Sequence, residues 1–115
     1  MVQVDSIIVK IALNNQSSFQ YRIDPSIINP TNVKVVNCYY YDAGGLANCL
    51  LIRTSMIPNS ILFPFGESEG IQKLDINHRL YSFSGGNFTF EIIQATGETI
   101  ERDGDLVFTL EFYKD

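Results

Sequence analysis

The chain has 115 residues and a mass of 13.0 kDa, 45% of them hydrophobic and 18% charged. At roughly 100–200 residues per domain this is one domain, 1–115, and the composition excludes a disordered tail, a collagen repeat and a coiled coil. Thirteen acids against eight bases give a formal charge of −5. The bases stand singly, whereas phosphate binding requires clustered Lys and Arg, so no nucleic-acid partner is expected.

No apolar run approaches the roughly 18–20 residues of a membrane-crossing helix, so no integral membrane segment is expected. The opening Met1-Val2-Gln3-Val4-Asp5 lacks the charged stretch and apolar region of a secretory signal, which implies a reducing compartment.

In chain order, the apolar side chains recur at every second position, the period of a half-buried strand. Ile7, Val9, Ile11 and Leu13 share one face of a first strand, and Phe19, Tyr21 and Ile23 one face of a second, with the turn signal Asn14-Asn15-Gln16-Ser17 between them. Asp24-Pro25 and Asn29-Pro30 bracket a connection, because each proline forces extended geometry on the residue before it. Val33 to Tyr41 reads as a long apolar strand covered on both faces, followed by a strand over 46–53.

Ile61 to Phe65 is a short strand whose Pro64 predicts an edge position or a bulge. Gly66 to Gly70 is a polar loop, and 71–83 reads as two short strands broken near Asn77. Phe88, Phe90 and Ile92 alternate in the next strand. After Thr96-Gly97 and a turn at Asp103-Gly104-Asp105, Leu106, Phe108, Leu110 and Phe112 define the clearest strand of all. No helical stripe is present. The prediction is an all-β antiparallel sandwich of roughly seven to nine strands.

Chemistry is sparse. His78 is the sole histidine, and its phase with Leu74, Ile76 and Leu80 predicts a packed or rim residue rather than a catalytic base. Two cysteines and one histidine do not make a zinc spacing, Asp103-Gly104-Asp105 lacks the later ligands of a calcium loop, and Glu67 and Glu69 share a loop as solvated charges. No enzyme activity, cofactor or metal is expected.

Cys38 and Cys49 would face each other if their segments paired as a hairpin across Asp42-Ala43-Gly44-Gly45, which leaves a disulfide open. In a reducing compartment the expectation is two buried free thiols. The acidic end, with seven acids in 91–115, is expected to be a solvated strand face plus a polar turn.

The run Tyr39-Tyr40-Tyr41 places a ring with a polar tip on both faces of its strand, suited to core, protein interface or sugar stacking. The segment from Met56 to Phe65 is apolar, irregular and punctuated by two prolines. Tyr40, Met56, Ile57, Pro58, Phe63 and Phe65 are therefore the candidate interface residues.

The last third, from Gly86-Asn87-Phe88-Thr89-Phe90-Glu91-Ile92 through Thr96-Gly97-Glu98-Thr99-Ile100 to Asp105-Leu106-Val107-Phe108-Thr109-Leu110-Glu111-Phe112, resembles the closing hairpin of jelly-roll capsid proteins of the double jelly-roll DNA virus lineage. The stretch Leu50 to Ser60 is similar to a mid-domain strand and connection of the same proteins. The resemblance lies mainly in residues 86–112 and is one of residue types.

It implies a jelly-roll-like fold and a non-enzymatic minor capsid protein, either a vertex (penton) subunit or a cement protein. Such a protein would form a homo-oligomer, a trimer or pentamer, contact other capsid proteins, and reside in a virion assembled in the cytoplasm. The chain is shorter than most vertex subunits, which favours the cement variant. It also lacks a basic N-terminal arm for holding a genome. The alternative reading, from the tyrosine run and the Gly-rich turns, is a carbohydrate- or receptor-binding sandwich module.

Overall fold

Side chains apolar at alternate positions leave water only if strands lie in sheets packed face to face. In the computed structural model, which describes residues 1–27, 29–45, 49–57, 61–66 and 69–115, eight strands do this, and no helix occurs among the described residues. They are β1 (Val2–Ala12), β2 (Ser18–Ile23), β3 (Asn32–Asp42), β4 (Leu50–Thr54), β5 (Ile61–Phe65), β6 (Gly70–Arg79), β7 (Gly86–Gln94) and β8 (Gly104–Lys114). One sheet has the order β1-β8-β3-β6 and the other β2-β7-β4-β5, with every pairing antiparallel. Up to β5 each successive strand but one crosses to the other sheet, and the four-and-four order is that of a jelly-roll sandwich.

The inward faces follow the alternation. Val9, Ile11 and Leu13 from the β1 end, Leu106, Phe108, Leu110 and Phe112 from β8, and Phe90 and Ile92 from β7 are all buried. Phe108 sits at the centre, 5.0 Å from Phe63 and 5.6 Å from Phe90 between ring centroids, both edge-on. Edge-to-face contacts place the positive ring edge on the negative face of its neighbour. Burying each such ring contributes on the order of 1.5–3 kcal/mol.

Several expectations need correction. β6 runs unbroken through Asn77 and ends at Arg79, because its pairing with β3 continues from Val35↔Ile76 to Asn32↔Arg79. Gly104 opens β8 opposite Asp42 instead of turning the chain. β3 is covered on its inner face only: Val33 and Val35 point inward, a bulge between Val35 and Asn37 shifts the phase by one, and Cys38, Tyr40 and Asp42 then point inward. Tyr39 and Tyr41 are left exposed.

β3 pairs with β6 and β8, never with β4, so the hairpin that would have joined the cysteines does not form. Both thiols are free, Cys38 buried as expected but Cys49 exposed. β5, which carries Pro64, is an edge strand as predicted, and a register shift lies beside it between Ile52 and Arg53. The predicted strand over 46–53 begins at Leu50, and 46–48 lie outside the described residues.

Candidate functional site

Five of the six candidate interface residues lie inside the sandwich. Tyr40, Met56, Ile57, Phe63 and Phe65 are all buried. Pro58, like Glu67 of the carboxylate pair, lies outside the described residues. Tyr40 meets Phe65 edge-on at 4.8 Å. The Thr54 side-chain oxygen accepts the Met56 N–H at 3.2 Å, and Met56 and Ile57 join the core. Of the two prolines that suggested an exposed contact segment, Pro64 instead belongs to the edge strand β5.

The buried polar centre of the molecule is a set that the sequence reading missed. Asp42, fully buried as the last residue of β3, accepts hydrogen bonds from the Tyr40 hydroxyl, from Nε of Arg102 at 2.8 Å, and from the Gly44 N–H at 2.9 Å. Arg102 also donates to the Gly45 carbonyl at 3.0 Å. Beside this set, the Ala43 N–H donates to the Asp103 carbonyl at 2.9 Å, so the β3–β4 and β7–β8 connections are laced together.

Burial pushes the Asp42 carboxyl up, but the donors Tyr40, Arg102 and Gly44 and the guanidinium charge outweigh it and hold it below the ordinary 3.8. Its hydrogen bond to Asp42, more than the opposing burial, raises Arg102, while burial first and then the separate hydrogen bond of the Tyr40 hydroxyl to Asp42 raise Tyr40. Every buried polar side-chain atom among the described residues has a partner. A set so fully engaged acts as a clamp between two connections. The signal for it was Asp42 in phase with Cys38 and Tyr40, a carboxylate on an inward face that requires a cation.

The remaining chemical groups are similarly engaged. A ring nitrogen of His78, on the inner face of β6, lies 2.8 Å from the Leu62 carbonyl of β5 and bridges the two sheets along one open side. On the opposite side the Tyr21 hydroxyl of β2 donates to the Ile8 carbonyl of β1 at 3.1 Å. Burial pushes the Cys38 thiol up to about 12, which leaves it protonated and unreactive at neutral pH. Among the described residues no group of three or more His, Cys, Asp or Glu could hold a metal ion, and no helix is long and apolar enough to cross a membrane.

Among the described residues, the outer face of the β1-β8-β3-β6 sheet offers a surface for contact. The register aligns Lys10, Val107, Tyr39 and Ile71 in one row across its four strands, with Tyr41 beside it. Tyr39 is 41% exposed, Tyr41 44% and Ile71 79%, and Ile8 adds a further exposed apolar side chain in the next row. Rings and aliphatic groups adjoining across a sheet with charges at the margin have the composition of a protein contact patch. Compared with known proteins, the chain matches no protein-family model and no curated protein.

Proposed function

We propose that the chain is a non-enzymatic structural protein, a minor capsid subunit of the vertex or cement kind, which acts by self-association and by contact with neighbouring coat proteins in a virion. The observation that supports this reading is the row in which exposed Tyr39 and Ile71 adjoin half-buried Val107, with exposed Tyr41 beside them, on a jelly-roll sandwich whose other large rings are mostly enclosed. The contact surface is therefore the outer sheet face, with Met56, Ile57, Phe63 and Phe65 in the core beneath the sandwich's faces. Covering the tyrosines and Ile71 in an assembly removes apolar surface from water at about 25 cal/mol per Å².

Light scattering coupled to size exclusion, over a range of concentrations, tests the reading. A trimer or pentamer of the 13.0 kDa chain is expected, and Tyr39→Glu with Ile71→Glu should return it to monomer with an unchanged fold. A chain that stays monomeric at high concentration and binds no coat protein would overturn the proposal.

A further inference from the structure

At the end of the sandwich opposite the Asp42 clamp, the connections β2–β3 and β6–β7 enclose an open cleft of about 460 Å³. Leu80, Phe83 and Pro30, all buried, supply its apolar lining. Phe83 is fixed by a stacked contact with Phe88 at 5.4 Å and a tilted one with Phe112 at 5.4 Å. Asn29, Ser82 and Ser84 supply exposed polar groups at the margin, and no side-chain hydrogen bond to another described residue engages them. No charged side chain among the described residues lines the cleft. The neighbouring Arg79 and Asp115 are paired with each other at 2.8 Å.

The walls are held in place before any ligand arrives. Asn29 and Ser82, on opposite connections, both have left-handed backbone, with φ of 46° and 53°. Asparagine tolerates that region, whereas serine does so at a cost, and such a conformation persists where the surroundings impose it. Here they do: Gly85 lies so close to Pro25 that a Cβ would sit 2.3 Å from the proline Cα. Thr31 joins the two connections, donating its N–H to the Tyr113 carbonyl and accepting the Leu80 N–H, each at 2.8 Å.

An uncharged cleft with an aromatic and aliphatic floor and unengaged hydroxyl and amide groups at its edge matches one ligand chemistry. The ligand carries C–H groups on one face, hydroxyls around its perimeter and no charge. We propose that this cleft binds the pyranose ring of a neutral sugar, with Asn29, Ser82 and Ser84 hydrogen-bonding its hydroxyls over Leu80 and Phe83. The site is separate from the outer sheet face, so binding here and self-association can each fail without the other.

Amide chemical shifts of the isotopically labelled full chain, titrated with methyl glucoside, methyl galactoside and N-acetylglucosamine, test it. The expected result is saturable shifts at Asn29, Thr31 and Leu80 to Ser84 with at least one of the three. Ser82→Gly, which removes the hydroxyl and relaxes the backbone, and Ser84→Ala, at an exposed position compatible with folding, should each weaken binding about fivefold. Saturable shifts absent with all three sugars, centred instead on Tyr39 and Tyr41, or unchanged in both variants would overturn the proposal.

Discussion

At one end of the sandwich a buried carboxylate, Asp42, gathers Tyr40, Arg102 and the Gly44 N–H and ties the β3–β4 connection to the β7–β8 connection. At the other end, closure rests on backbone fit: Gly85 against Pro25, Thr31 hydrogen-bonded to the carbonyl of Tyr113 and the N–H of Leu80, and Phe83 among rings. The first end fills its space with charge that must stay paired, and leaves no unsatisfied polar group. The second uses neutral contacts that cannot collapse further, and leaves a cleft. Electrostatic closure is compact but conditional on pH, whereas steric closure is indifferent to pH and permits an opening.

The sharpest way to break this contrast is to remove the carboxylate. Asp42→Ala leaves the partly exposed Arg102 guanidinium and the buried Tyr40 hydroxyl without their acceptor, and a loss of about 3 kcal/mol is expected in urea unfolding. A loss below about 1 kcal/mol, the range of surface changes, would mean that the clamp carries little of that end's stability.

At the other end, Gly85→Ala drives a methyl group into the Pro25 backbone, which has no flexible atoms to yield. About 2–3 kcal/mol of destabilisation is expected from overpacking, by the same measurement. An unchanged midpoint would show that the second end adjusts freely, against the rigidity argued for its cleft.

Acid sharpens the comparison with a smaller effect. Because Asp42 titrates below its ordinary value in the folded chain, its contribution is fully present above about pH 4, the unfolded carboxyl value, and is lost as pH falls through the lower, folded value. Stability measured from neutral pH into that range should therefore fall, and Asp42→Asn should flatten part of the decline. Gly85→Ala should lower the whole curve without changing its slope. Equal slopes in wild type and Asp42→Asn would remove the clamp from the explanation.

The strands were legible because burial repeats every second residue: Leu106, Phe108, Leu110 and Phe112 could face only one way. The bulge at Val36 was not, since a one-residue shift leaves no mark in a run as apolar as Val33 to Tyr41, and that shift decides which tyrosine is enclosed. Tyr40 therefore moved from candidate contact to core, while Tyr39 and Tyr41 became the exposed pair. The clamp joins residues 60 apart in the chain, and local pattern carries no information about such a partner. The cleft was equally hidden, because Asn29 and Ser82 look like ordinary loop residues until their connections meet.

The neighbours within each sheet also bear on how the chain is made. Among the described residues β1 has a single partner strand, and that partner is β8, seven strands later in chain order; β2 likewise waits for β7. Vectorial synthesis thus delivers two early apolar strands whose partners, β7 and β8, emerge much later, so the first sheet closes only after translation of β8. The bulge near the start of β1 and the charges Asp5 and Lys10 along it interrupt an edge that would otherwise be free, during that interval, to pair with other nascent chains.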